Sequence, residues 1–139
     1  MHGFSLDADG RKMSKSLGNV VTPEEVVSKF GVDVLRLYVL SNNAPWEDLK
    51  FNWEGVSTVN RAINILWNVY RFPLPYMILD GFVPACQEKA IPDNEYIARI
   101  IREMPDEDRW IISRINSIAA SVKTDMGEYQ IHRVTRAMI

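Results

Sequence analysis

Lys12-Met13-Ser14-Lys15-Ser16 places two ammonium groups and two hydroxyls within five consecutive positions. Donors of this kind on one short loop suit a polyanion, above all a triphosphate, because charge-assisted hydrogen bonds to phosphate oxygens are the strong kind. Gly10 and Gly18 bracket the segment, so the backbone on each side has access to positive φ and the loop is free to swing. Met13 is the apolar member and would anchor the loop against a base or an apolar wall. On residue types alone, the same five positions also describe an ordinary solvated basic turn.

The elements that must position this loop are overwhelmingly helical. Phe4-Ser5-Leu6 and the Asp7-Ala8-Asp9-Gly10 turn predict a short hairpin in front of it. Thr22 is placed to cap a helix, Pro23 fits the first helical position, Glu25 completes a capping box and Gly31 ends the helix. A second helix, about residues 32–41, carries Val34, Leu35, Tyr38 and Val39 on one face. Its Asp33–Arg36 pair is a surface ion pair of little weight. Residues 41–52 read as a loop or connector. A long helix then starts near Trp53, with Ile63, Leu66, Trp67 and Tyr70 as its apolar stripe, and Pro73 and Pro75 stop or kink it. Residues 80–94 read as irregular. Ile97, Ile100, Ile101 and Met104 form the next stripe, which Pro105 ends. Asp106 is the natural cap of the following helix, with Glu107 and Asp108 favourable to its dipole. Ile111, Ile115, Ile118, Ala119 and Val122 form its apolar face, Gly127 breaks it, and a last helix begins near Glu128. Every stripe is expected to be core. The fold expected is mainly α, a helical bundle with a short β-hairpin and the basic loop at the N-terminus.

At 139 residues the chain is one domain's worth, or one and a fraction. Its apolar content of 47% is ample for a core. Sixteen basic against eighteen acidic residues give a formal charge of −2, which neither announces nor excludes nucleic-acid binding. The single Cys86 excludes an internal disulfide framework. No Cys/His cluster has zinc spacing, so no metal site is expected, and His2 and His132 are assigned surface or capping roles. No apolar run approaches the roughly eighteen residues of a membrane span, and no signal peptide is evident, so a soluble, cytoplasmic protein is expected. Both ends read as cut: the hairpin is entered without a preceding partner, and Ile131, Val134 and Met138 keep helical spacing up to Ile139 without a stop signal.

All five loop positions match the KMSKS signature of class I aminoacyl-tRNA synthetases. The resemblance runs on through Leu17-Gly18-Asn19-Val20-Val21, Thr22-Pro23-Glu24-Glu25 and Gly31-Val32-Asp33-Val34-Leu35-Arg36, like the subgroup that charges isoleucine, valine and leucine. Asp108-Arg109-Trp110-Ile111-Ile112-Ser113-Arg114 looks like the opening helix of the anticodon-binding bundle of the isoleucyl and valyl branches. Residues 45–51 and 65–72 resemble the isoleucyl branch in its archaeal form, while Leu66-Trp67-Asn68 is shared with the valyl one.

The resemblance implies that residues 1–52 are the KMSKS loop and stem-contact region of a catalytic half, and that residues 53–139 begin a helical anticodon-binding domain. It implies that Lys12, Met13, Ser14, Lys15 and Ser16 meet ATP, taken up with Mg²⁺. Lys15 is the first choice, and Lys12 the second, for stabilising the bridging oxygen and departing pyrophosphate as an amino acid attacks the α-phosphate. Arg114 and then Arg109 are implied at the tRNA backbone, with Arg133 and Arg136 as further candidates and Trp110 as a packing anchor. The implied partners are tRNA(Ile) and a dinucleotide-fold catalytic domain of the same parent chain. The family's His-x-Gly-His motif is missing, since His2-Gly3-Phe4 lacks the second histidine, so this chain by itself is expected to be inactive. Two rival readings stand beside this one: a valyl segment, and a freestanding helical RNA-binding module that kept the loop. A self-sufficient nucleotide hydrolase ranks last, for want of a Walker-type loop.

Overall fold

The computed structural model describes residues 3–83 and 94–139. His2, Cys86 and most of the irregular stretch foreseen at 80–94 lie outside the described residues.

The first helix, α1 (Pro23–Phe30), forms where the local signals place it. Thr22 Oγ1 accepts the Glu25 N–H at 3.3 Å, Pro23 opens the helix, and Gly31 closes it at φ 90°. Only half of the capping box is made. The Glu25 carboxylate turns down the helix to Lys29 Nζ at 3.1 Å, because an i,i+4 partner of opposite charge is within reach. Lys29 Nζ also lies 4.3 Å from the Trp53 ring centroid. α2 (Val32–Asn42) follows directly, and the exposed Arg36–Asp33 pair closes at 3.3 Å. Val34 and Tyr38 of its expected apolar face are buried and Leu35 is half-buried, but Val39 is exposed.

The N-terminal β-structure is smaller and less local than a hairpin. β1 (Ser5–Leu6) makes a single antiparallel bridge, Leu6 with Lys12, across the turn. Its strand partner is β2 (Leu49–Lys50), in a segment expected to be loop, and the two run parallel with Ser5 opposite Leu49 and Leu6 opposite Lys50. α1 and α2 form the connection between them, as parallel pairing requires a long crossover.

α3 (Trp53–Arg71) is capped by Asn52, whose Oδ1 accepts the Glu54 N–H at 2.7 Å. The chain turns at Pro73 into the short α4 (Leu74–Leu79). Val26, Val34, Tyr38, Phe51, Val56 and Val59 form the core where α1, α2 and the first turns of α3 meet. Tyr38 is its polar pin: the hydroxyl accepts the Asn52 N–H at 2.9 Å and faces the Lys50 carbonyl at 3.2 Å, while Phe51 meets the ring edge-on. Burial pushes the phenol's pKa up.

After α5 (Asn94–Glu103), α6 (Asp106–Gly127) begins with its acidic first turn as foreseen, but its cap residue is Pro105 rather than Asp106. The helix ends at Gly127 as foreseen, but Gly127 is not the residue that turns the chain. The left-handed residue is Tyr129 at φ 58°, closed by Gln130 N–H to Asp125 O at 2.8 Å and Tyr129 N–H to Met126 O at 3.2 Å. α7 (Ile131–Met138) then folds back to lie against both α6 and α2.

The mainly α expectation holds, whereas the expectation that every stripe is core does not. Ile63 packs against the core, yet Leu66, Trp67 and Tyr70 are exposed, Trp67 by 57%. Ile111 and Ile115 are likewise exposed, and Trp110, expected as a packing anchor, is 68% exposed. Periodicity reports that a helix has an apolar face, whereas burial needs a second element over it. Among the described residues, the outer half of α3 and the N-terminal half of α6 have none that buries them.

Candidate functional site

Residues 12–16 form a loop with a tethered start and a looser end. Met13 donates its N–H to the Ser5 carbonyl at 3.2 Å, and its side chain packs against the hydrophobic core. Of the two anchors open to Met13, a base or an apolar wall, the fold supplies the wall. Lys12 is exposed, with Nζ 4.6 Å from the centroid of the Phe4 ring. Phe4 is held in turn by its N–H to Asp48 Oδ1 at 2.7 Å.

Ser14 is extended (φ −146°, ψ 147°) and precedes a 3-10 turn at Lys15–Leu17, closed by Gly18 in the left-handed region at φ 65°. A Cβ at Gly18 would meet nothing within 4 Å, so the backbone angle, not crowding, is what calls for glycine. Gly10 takes φ 83° on the other flank. The Ser14 and Ser16 hydroxyls lie 3.0 Å apart, and Lys15 and Ser16 are exposed.

Asp7 and Asn19, neither singled out among the chemistry-bearing residues, organise the loop. Asp7 Oδ1 accepts the N–H groups of Asp9 (3.1 Å) and Arg11 (2.8 Å), while its Oδ2 accepts from Asn19 Nδ2 (2.8 Å) and pairs with Arg11 Nε (3.1 Å). These donors, Asn19 first and the Arg11 backbone next, hold the Asp7 carboxyl down at about 2. Asn19 also spans the loop: its Oδ1 accepts the Ser14 N–H at 2.9 Å and its Nδ2 lies 3.3 Å from the Lys12 carbonyl. The signal available in the sequence was the residue type, since Asp and Asn near turn glycines habitually bond local backbone.

The arginines foreseen at RNA divide by geometry. Arg114 is exposed on α6. Arg109 lies one turn nearer the helix start and pairs with Asp106, both side chains being largely solvated. Arg133 is exposed on α7. Arg136 is committed elsewhere: its Nε donates to Ser41 O at 2.7 Å and its Nη2 to Asn42 O, at the carboxyl end of α2. His132 neither caps a helix nor faces open solvent; it is half-buried, with its ring edge-on to Trp46 at 5.9 Å.

What this arrangement offers chemically is an exposed primary amine, Lys15, on a three-residue turn whose base is fixed. Beside it stand two hydroxyls and a second amine, Lys12. No described helix is long and apolar enough to cross a membrane.

A family model described as tRNA synthetases class I (I, L, M and V) matches residues 1–52. The isoleucine–tRNA ligase of Methanospirillum hungatei is 78% identical over 139 residues, all of this chain and 13% of that protein. That of Methanoculleus marisnigri is 66% identical over 138 residues, 99% of this chain and 13% of that protein. Among solved structures, LeuRS from Agrobacterium radiobacter K84, in a ternary complex with tRNA and LeuAMS, aligns with a TM-score of 0.67 at 25% identity, covering 98% of this chain and 16% of that one. These relatives support the isoleucine reading, not the valyl segment or the freestanding module. The chain thus spans only about an eighth of the length of the isoleucine–tRNA ligases it matches, is similar to them along its whole length, and carries the class I tRNA synthetase likeness over residues 1–52 with the loop signature intact.

Proposed function

We propose that this chain is the part of an isoleucine–tRNA ligase that grips ATP during amino-acid activation and leads into the tRNA-docking helices. In that reaction an isoleucine carboxylate oxygen bonds to the α-phosphorus, the bond from that phosphorus to the bridging oxygen breaks, and pyrophosphate leaves. Negative charge grows on the bridging oxygen and the leaving group, so cations aimed there stabilise the transition state more than the ground state. Lys15 takes that role, with Lys12 second. Ser14 and Ser16 donate to phosphate oxygens, and Met13 roots the loop. Mg²⁺ arriving with ATP neutralises further phosphate charge.

Residues 1–52 form the loop and stem-contact region, and residues 53–139 open the anticodon-binding domain. Arg114 and Arg109 present charge to the backbone of tRNA(Ile). The isoleucine pocket and the rest of the nucleotide site lie in a dinucleotide-fold domain of the same parent, so the isolated segment does not activate isoleucine. A cytoplasmic location follows from the substrates.

The observation that carries this reading is the complete KMSKS string, with Lys15 and Ser16 on an exposed turn, within 78% identity to an isoleucine–tRNA ligase. Its test is isoleucine-dependent ATP–pyrophosphate exchange by the full-length enzyme beside Lys15→Ala. The loss expected in kcat is on the order of 100- to 1,000-fold, the scale of removing one donor from a developing charge. Exchange untouched by Lys15→Ala refutes the assignment.

A further inference from the structure

Rigidity is divided unevenly along the loop. Before Ser14 the chain is tied by Met13 N–H to Ser5 O and by the Met13 side chain in the core. Beyond Gly18 it is tied by Asn19. Between them, the Lys15–Leu17 turn is held by Leu17 N–H to Ser14 O at 3.1 Å, Gly18 N–H to Lys15 O at 3.3 Å and the serine hydroxyl pair. Extended Ser14 and left-handed Gly18 are the two points where it joins the fixed chain.

Asn19 sits just past the second joint and reaches back to the first, using both ends of its amide. The oxygen accepts from Ser14 N–H, and the nitrogen donates to Asp7 Oδ2 and faces Lys12 O. We propose that Asn19 is the positioning residue of this loop: its amide straps together the two ends of the Lys15–Leu17 turn and so fixes where the Lys15 ammonium can reach. The inference rests on the ATP reading above. An asparagine suits the task because it offers an acceptor and a donor from one short side chain. Aspartate keeps the shape and the acceptor for Ser14, but loses the donors and sets a second carboxylate against Asp7.

The experiment is ATP–pyrophosphate exchange by the full-length ligase, comparing Asn19→Asp, the swap Asn19→Asp with Asp7→Asn, and Lys15→Ala, each with its melting temperature. Asn19→Asp is expected to lower kcat on the order of 100-fold, the scale of misplacing a group that must act at an exact distance. KM for isoleucine and the melting temperature stay near wild type. The swap returns a donor facing an acceptor and recovers most of the rate. Wild-type kcat in Asn19→Asp, with Lys15→Ala inactive, overturns the strap alone. A loss that tracks a fallen melting temperature and is not recovered by the swap also overturns it, marking Asn19 as merely structural. Full exchange by Lys15→Ala instead overturns the ATP reading beneath it.

Discussion

Replacing Arg136 by methionine should loosen α7 from α2. The guanidinium donates from Nε to Ser41 O at 2.7 Å and from Nη2 to Asn42 O, two carbonyls that the end of α2 leaves without intrahelical partners. Hydrogen bonds from a charged group contribute about 1.5–3 kcal/mol each. Arg136 is an exposed residue, so the low end applies to the first bond and less to the second. The pair then stabilises the docked helix by about 2 kcal/mol, or about 30-fold in a local opening equilibrium. Methionine preserves the apolar stem, so the loss reports the head group. Complete release is not expected, because Val134 stays buried and Thr135 Oγ1 lies 3.1 Å from Leu40 O. Amide hydrogen exchange read by mass spectrometry should show the acceleration in peptides covering 131–138, with α1 unchanged. Unaltered exchange across α7 in Arg136→Met refutes the claim that these bonds hold the two helices together.

Two further perturbations test the loop base and the core. Asp7 has a depressed carboxyl pKa, so its contribution is whole above the ordinary value of 3.8 and is lost as pH falls toward about 2. Carboxyl NMR should place its midpoint near the lower figure, and Asn19→Ala should move that midpoint upward. Gly55→Ala puts a methyl 2.9 Å from Tyr38 Cε2, on a ring pinned by Asn52 and Phe51. Overpacking costs about 1–3 kcal/mol while the better helix former returns up to about 1, so a net loss of about 1 kcal/mol is expected in urea unfolding; a gain means the ring moves freely.

What could be read from the residues was local. Thr22, Pro23 and Gly31 fixed α1 because capping depends on neighbours a few positions away, and the Asp33–Arg36 pair followed from helical spacing. Gly10 and Gly18 took the positive φ that glycine adopts without a steric penalty. The features that escaped were those whose partner lies far along the chain. Nothing in Leu49-Lys50 announces a strand, because two residues have no periodicity and the pairing is chosen by β1. Arg136 resembled any surface arginine until α7 folded back onto α2. Trp67 sat in a proper helical stripe and Trp110 beside one, but a stripe does not say what covers it. Asn19 lay between these cases: its turn chemistry was legible, but its triple contact depended on Asp7 arriving from the other side of the loop.

The parallel pairing of β1 with β2 also sets an order of events during synthesis. The bond between Phe4 and Asp48 joins residues 44 apart. Closing a loop of that length costs roughly 3 kcal/mol of chain entropy before any contact offsets it. Residues around Ser5 leave the ribosome before residues 49–50, so among the described residues the parallel partner of β1 arrives only after the chain of α1 and α2 has been made. Met13 has no core to enter until then, because Phe51 and Val56 are later still. The stretch proposed to hold ATP is therefore made before the elements that shape it. A nascent chain stalled before residue 49 should lack the β1–β2 pairing, and its lysines should not reach a nucleotide in the geometry described.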